Sequence, residues 1–525
     1  PKERESKTEE NMLAIVKSVA LHGLEGHIIQ VEVDVSNGLP ACDIVGLPDT
    51  AVREARDRVR TAIRNSGYEF PHSRITVNLA PADLKKEGPV YDLAIAVGIL
   101  AATEQVDANA CLQYAFIGEL SLEGSVRSVN GMLPLVSALK RHFINDIIVP
   151  WKNAPEAALI QDVNIYGVGS LSQLISHLQD EVQIPPHRQD IESLFHQKNE
   201  GIPDMADVRG QTAAKRALEI AAAGGHNVLM LGSPGSGKTM LARRLPGILP
   251  DLSLDEALEV TKIHSLAGIV PAGEPLVARR PFRGPHHTVS TAGLIGGGKF
   301  PRPGEISLAH NGVLFMDELP EFRRDALEAL RQPLEDSFVT ISRVNSSISY
   351  PAGIMLVAAM NPCPCGFLTD EERQCSCSPP QVQRYLGRIS GPFLDRLDIH
   401  IEVPRPLFSE LESPPDGATS EDIRKRVQNA RIFMQQRLEG LGLSASLNCN
   451  AHITSKMLQQ VCHPTQEGKK LLEDAFNRLK LTARSHAKVL KVARTIADLA
   501  GSEKVDAVHV AEAIQYRNLE RKLWL

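Results

Sequence analysis

The segment Gly232-Ser233-Pro234-Gly235-Ser236-Gly237-Lys238-Thr239 constrains this chain more than any other. It fits the pattern G-x-x-x-x-G-K-[ST], follows the apolar run Val228–Leu231 and leads into the helical run Met240–Leu245. Strand, glycine-rich loop and helix in that order predict a phosphate-binding loop in an α/β fold. The glycines let the backbone turn its N–H groups onto phosphate oxygens at the positive end of a helix. Lys238 then reaches the β- and γ-phosphates, and Thr239 offers a hydroxyl to Mg²⁺. The competing reading, a glycine-rich turn without a ligand, is disfavoured by the strand–loop–helix context.

A second run fits the first. Val313–Met316 is wholly apolar and ends in Asp317-Glu318. A carboxylate at the carboxyl end of a strand holds the water shell of Mg²⁺, and its neighbour activates the attacking water. Ile354–Met360 ends at Asn361, which this pattern places between the loop and the acidic strand end, to orient that water. Beyond it, Phe393–His400 carries Arg396 on an expected exposed turn. Arg396 there serves either a neighbouring subunit's γ-phosphate or a surface ion pair with Asp395 or Asp398.

Length and composition set the frame. At 525 residues the chain is too long for one core and suits three to four domains. No run approaches the roughly 20 apolar residues of a membrane helix, and the polar start is no secretory signal, so the expected compartment is the cytoplasm. Residues 1–11 read as a disordered or appended tail, with Met12 the expected start. A net charge of −6 argues against a surface coated in basic residues. It leaves room for a ring that hides positive charge in its channel.

Residues 12–180 alternate strand-like and helix-like runs. Ile28–Val35, Ile75–Leu79 and Asp146–Val149 read as strands, and Asp92–Ala102 as a helix. Asp49–Asn65 puts Val52, Ala55, Val59, Ala62 and Ile63 on one helical face. Residues 181–203, polar and holding Pro185, Pro186 and Pro203, read as a linker. Residues 204–405 form a second α/β block, and 406–525 are helical in pattern.

Cys42, Cys111, Cys449 and Cys462 are scattered, whereas Cys363, Cys365, Cys375 and Cys377 form one C-x-C-x9-C-x-C cluster. In a cytosolic chain two tight thiol pairs across a short loop point to structural Zn²⁺. A redox disulfide and free thiols are the alternatives. Catalytic zinc is disfavoured, because four sulfurs leave no open position.

Longer motifs carry a family resemblance. Arg280–His287 (RPFRGPHH), Pro303–His310 (PGEISLAH), Gly312–Pro320 (GVLFMDELP), Asp207–Gln211 and Lys215–Gly225 resemble the signature of the magnesium-chelatase-like AAA+ ATPases. The layout from residue 12 to the C-terminus resembles their YifB/ComM branch, whose ComM proteins are hexameric DNA helicases that promote branch migration in natural transformation. The resemblance implies an ATP-hydrolysing homo-hexamer acting on single-stranded and branched DNA. It assigns Gly232–Thr239 to Walker A, Asp317 and Glu318 to Walker B, Asn361 to sensor 1 and Arg396 to the arginine finger. Arg484 takes sensor 2, with Arg494 as the alternative. Phe338–Tyr350 is a hairpin pattern that resembles the pre-sensor-1 hairpin of related helicases, with Arg343 near its tip as the phosphate contact. Gly293–Lys299 has the glycine content of a pore loop, with Lys299 as a second DNA candidate. His286 and His287 read as packed or hydrogen-bonded beside a proline-rich turn.

Phe116–Arg127 and Lys86–Asp92 resemble the proteolytic domain of Lon. Lon needs a Ser–Lys dyad, but Val90 stands at the serine position and the lysine position falls near Leu135. Neither offers a nucleophile or a base, so the implied domain is an inactive one, kept for ring assembly or for DNA. The helical C-terminal part is the implied lid. Rival functions are a protein-remodelling or chelatase-type motor, and a nucleotide-gated scaffold that does not hydrolyse ATP.

Overall fold

Period-two alternation builds the first sheet. In the computed structural model, β1 (Met12–His22) and β2 (Glu25–Ser36) pair antiparallel, with Val16 opposite Val31. Every second residue of β2 from Ile29 to Val35 faces the core, as a half-buried strand requires. Five further strands complete a seven-stranded sheet: β3 (Ala41–Val45), β4 (Arg74–Ala80), β5 (Ala115–Phe116), β6 (Asp146–Pro150) and β7 (Asn164–Val168). The strand order is β3-β4-β2-β1-β5-β6-β7. The pairs β1–β2 and β2–β4 are antiparallel, and the others are parallel. The structure describes residues 12–519 apart from 196–200, 272, 299–300, 344–345, 371, 407, 413–416, 444–446, 480–481 and 518.

Helix α1 (Thr50–Asn65) is capped by Asp49, whose carboxylate accepts the N–H of Val52 at 2.8 Å. Such a cap stabilises by about 1 kcal/mol. Its buried face is Val52, Ala55, Val59, Ala62 and Ile63, the face expected from spacing. Helix α2 (Asp92–Ala102) is apolar on every side because all its residues are buried. Asp92 at its start is ion-paired to Arg58 at 2.8 Å. Val90 packs against the apolar cluster that holds Leu135 of α3 (Met132–Arg141). The two positions expected to have lost a dyad thus share one hydrophobic environment.

The chain divides into two units. The first takes in residues 12–195 and Ala257–Val277; the second takes in the described residues of 198–256 and 278–525. Within the first unit, Gly131 N–H donates to the Ser265 carbonyl at 3.0 Å, and the Ser265 hydroxyl bonds Glu156.

The second unit is built on a five-stranded sheet: β8 (Val228–Leu231), β9 (Phe282–Arg283), β10 (Val313–Met316), β13 (Met355–Met360) and β14 (Ile399–Glu402). The order is β9-β10-β13-β8-β14, and every pair is parallel. A parallel sheet covered on both faces demands continuous apolar strands, and β8, β10 and β13 are buried along their whole length. Between β10 and β13, β11 (Phe338–Arg343) and β12 (Ser346–Pro351) form an antiparallel hairpin with Arg343 opposite Ser346. The rest is mainly helical: α4 (Thr212–Gly224), α5 (Lys238–Ile248), α6 (Ser420–Gly440), α7 (Ser455–Val461), α8 (Gln466–Leu479), α9 (Ala483–Leu499) and α10 (Ala507–Gln515). A Thr419–Asp422 capping box starts α6. Among the described residues no helix is long and apolar enough to cross a membrane.

Candidate phosphate-binding site and cysteine cluster

β8 delivers the glycine-rich loop, and α5 begins at Lys238. Gly235 and Gly237 sit at φ +79° and +92°, where an L side chain is strained. At Gly232 a Cβ would lie 2.3 Å from the Val403 carbonyl oxygen, so this position tolerates no side chain. The buried Lys238 ammonium donates to the carbonyl oxygens of Gly232 (2.7 Å) and Ser233 (3.0 Å) and to Asn361 Oδ1 (3.2 Å). Burial lowers its pKa, and Asp317 opposes the shift. Thr239 donates its hydroxyl proton to Asp317 Oδ2 at 2.6 Å.

The sheet order explains these contacts. β13 lies between β8 and β10, so Asn361, just past its end, falls between the loop and the acidic strand end. Glu318 turns off β10 with φ +52° and leaves its side chain 59% exposed. His287 Nδ1 lies 3.2 Å from Glu318 Oε2, and its ring packs at 4.1 Å from that of His286. His286 instead bonds the Thr288 hydroxyl at 2.9 Å. A cavity of about 770 Å³ opens here, lined by Thr239, Arg243, His287, Phe315, Asp317 and Glu318 among others.

The residues fit a magnesium–nucleotide ligand. Thr239 and Asp317 offer two hard oxygens side by side. Ser236 Oγ is buried with no hydrogen-bond partner among the described residues, in a loop whose backbone N–H groups have no side chain over them at Gly235.

Arg396 is placed differently from the sequence reading. The sequence suggests an exposed turn for Arg396, yet its side chain is only 8% exposed and Nη2 lies 2.6 Å from Glu335 Oε1. The turn after Gly391–Leu394 folds the guanidinium back onto the Pro392 carbonyl. Burial lowers its pKa, against the nearby Glu335 carboxylate. Asp398, one expected partner, is taken by Lys488 at 2.8 Å and by Asn227 N–H. Arg484 is 62% exposed and lies 3.8 Å from the same Glu335 oxygen. Arg396 and Arg484 therefore meet on one carboxylate, and no hydrogen bond or ion pair among the described residues joins either to Gly232–Thr239. Arg494, the alternative to Arg484, is fully buried and ion-paired to Asp498 at 2.9 Å. The Arg343 side chain and Lys299 lie outside the described residues.

The four clustered cysteines converge. Their Sγ atoms all lie within 4.8 Å of one another, with Cys363–Cys365 at 3.3 Å, Cys363–Cys375 at 3.6 Å and Cys365–Cys375 at 3.5 Å. Tetrahedral zinc with Zn–S bonds of about 2.3 Å spaces its sulfurs about 3.8 Å apart, close to these distances. Burial pushes the Cys365 thiol up, but backbone N–H groups of Phe367 and Ser376 outweigh it and bring it down to about 5. Cys363, Cys375 and Cys377 are shifted the other way, so the fit to zinc rests on four sulfurs gathered at nearly tetrahedral spacing.

Sequence reasoning missed four contributors: His287 as the partner of Glu318, Glu335 between two arginines, and the Asp370–Arg405 pair beside the glycine-rich loop. The double histidine was a visible signal. Nothing in spacing joins residues 335, 396 and 484, because only the fold brings them together.

A parallel sheet that carries a phosphate-binding loop next to an acidic strand end defines a P-loop protein of the AAA+ class. Three models of magnesium chelatase subunit ChlI match in series: one over residues 31–153, one over 204–411 and one for the C-terminal part over 417–517. The chain is 45% identical over 513 residues to the competence protein ComM of Haemophilus influenzae, covering 97% of this chain and 98% of that protein. It is 45% identical over 516 residues to the protein YifB of Escherichia coli, with the same coverage. Lon protease 2 of Bacillus subtilis is 24% identical over 205 residues, 35% of this chain and 36% of the protease. The chain belongs to the YifB/ComM branch of the magnesium-chelatase-like AAA+ proteins. Membership implies ATPase activity in general terms, with ATP and Mg²⁺ as ligands.

Proposed function

We propose that this chain is an ATP-driven motor that assembles as a homo-hexamer in the cytoplasm and translocates on DNA, promoting branch migration when incoming DNA recombines during natural transformation. The observation that carries the motor reading is the contact set Lys238–Asn361 and Thr239–Asp317, with Glu318 adjoining it. The near full-length likeness to a protein named for competence favours DNA as the track.

In this reading the backbone of Gly232–Gly237, with Ser236, cradles the phosphates, and Lys238 leaves its carbonyl partners to meet them. Thr239 and Asp317 hold Mg²⁺, which when bound offsets the phosphate charge. Glu318 takes the proton of the attacking water, and Asn361 orients that water. Arg396 and Arg484 act on nucleotide from across a subunit boundary once released from Glu335, which gives the ring its reason to exist. Arg343 on the β11–β12 hairpin, with Lys299, contacts DNA phosphates. The domains are residues 12–180 (Lon-like, without peptidase activity), a linker at 181–203, the ATPase core at 204–405 and the helical lid at 406–525. Zn²⁺ closes the cysteine cluster.

The test is the steady-state ATPase rate with and without single-stranded and forked DNA. Several-fold stimulation supports a translocase. An active ATPase indifferent to both DNAs overturns the DNA reading in favour of a protein-remodelling or chelatase-type motor.

A further inference from the structure

The cysteine cluster does not stand apart from the phosphate-binding loop. Asn361, which accepts from Lys238, is two residues ahead of Cys363. Between the two cysteine pairs, Gly366 packs directly on Pro234, and Phe367 and Asp370 face Arg405. Gly366 approaches Pro234 so closely that a Cβ would lie 2.4 Å from its ring. Asp370 is fixed in its own loop by the N–H groups of Glu372 (3.1 Å) and Arg373 (3.0 Å). It faces Arg405 Nε across 3.3 Å. Arg405 closes the circuit: its Nη2 donates to the Pro234 carbonyl at 3.3 Å, and its guanidinium stacks over the Phe367 ring at 5.3 Å. Arg373 lies over the same ring at the same distance. Pro234 is thus gripped by a segment whose described residues between Gly366 and Cys377 form no helix or strand. A segment that lacks a backbone hydrogen-bond ladder of its own keeps one conformation only if something else closes it.

We propose that zinc on Cys363, Cys365, Cys375 and Cys377 is that closure, and that it works as a brace whose loading sets the affinity of the Gly232–Thr239 loop for ATP. This inference rests on the nucleotide reading above. Four thiolate–metal bonds pin both ends of the 366–374 segment, which positions Asp370 and Phe367, and these position Arg405 against Pro234. Without the metal the segment samples other conformations, the braced loop becomes a minority state, and apparent affinity falls by the fraction of braced molecules. Loss of contacts of this kind corresponds to a weakening of about tenfold.

The full chain is purified, and zinc per chain is measured by elemental mass spectrometry. Binding of a fluorescent ATP analogue is then titrated with Mg²⁺ in excess, before stripping with 1,10-phenanthroline, after it, and after zinc is returned. The expected result is one zinc per chain, about tenfold weaker binding after stripping, and recovery with zinc. Arg405→Ala breaks the brace beyond the metal. It is expected to keep its zinc and its circular dichroism melt, bind the analogue about tenfold more weakly, and lose little more on stripping. Less than half a zinc per chain, affinity unchanged by stripping, or an Arg405→Ala protein that binds like the parent each overturns the brace. Zinc-loaded protein that binds no nucleotide at all refutes the nucleotide reading, and the brace with it, which separates the two failures.

Discussion

Asp498, near the end of α9, is the residue whose neutralisation has the most calculable consequence. Its side chain is 1% exposed, and it receives two guanidinium groups. Oδ1 lies 2.9 Å from Arg494 Nη2 and is bonded by Arg437 Nη1; Oδ2 accepts from Arg437 Nη2 at 3.0 Å and from Asn450 at 2.8 Å. The Arg494 side chain is as deeply buried as Asp498. Asp498→Asn keeps the shape and removes the charge, leaving two cations facing each other away from water. An exposed ion pair is worth about 0–1 kcal/mol, but removing one partner of a buried pair costs about 3–5 kcal/mol. At 1.36 kcal/mol per decade that is at least about a hundredfold. The measurement is hydrogen exchange by mass spectrometry on peptides covering Ala483–Leu499 and Ser420–Gly440. Amides of both helices should lose about two or more decades of protection, because Arg437 belongs to α6. The triple substitution Arg437→Met, Arg494→Met, Asp498→Leu removes all three charges together and should recover most of the loss. A loss under tenfold in Asp498→Asn, or a triple variant worse than the single one, refutes the reasoning.

Four other outcomes are expected. Lys238→Ala should abolish nucleotide binding, and wild-type affinity in a binding titration would sink the loop assignment. Glu318→Gln should bind ATP yet fail to turn over in a phosphate-release assay; continued turnover would remove Glu318 as the activating base. His287→Ala removes a partner of a carboxylate that is itself 59% exposed. A pair this exposed is worth about 0–1 kcal/mol, so the expected fall in kcat is about fivefold at most, whereas a change confined to KM would assign His287 to binding. Glu156 tests the first unit: burial pushes its carboxyl up, against hydrogen bonds from Ser265, Leu133 N–H and Asn153. With a folded pKa above the unfolded one, the folded state binds more protons in that window, so stability falls as pH rises through it. Glu156→Gln should therefore gain urea stability relative to the parent as pH rises from about 4.5, and a gap independent of pH would contradict the assignment.

Much of the first unit was legible because its determinants are local. Asp49 caps α1 through its own Val52 N–H, and the buried face of α1 follows from 3.6-residue spacing alone. The parallel strands of the second unit announced themselves as uninterrupted apolar runs at 228–231, 313–316 and 355–360. The position of Asn361 followed from the same logic, since a strand between the loop and the acidic strand end must present its last residue to both. The burial of Arg396 is not legible in its turn pattern, because burial of a side chain on a turn depends on what the turn folds against, here Pro392 and Glu335. For His287 the sequence offers packing or a hydrogen bond without a partner, because Glu318 is brought to it by the order β9-β10, which no local pattern encodes.

By itself, the sequence determined the chemistry available to this protein: the glycine-rich loop with Lys238 and Thr239, the Asp317-Glu318 strand end, the four paired thiols, and an N-terminal domain with valine and leucine where a dyad would need serine and lysine. Those depend on residue type and short-range spacing, which the chain carries in one dimension. Only the tertiary structure decided which groups face one another. It put Glu335 between Arg396 and Arg484, His287 on Glu318, and Asp370 with Arg405 on the loop at Pro234. The reason is physical: such contacts join residues far apart in the chain, and their partners are set by strand order and helix packing, which are properties of the whole core and not of any one segment.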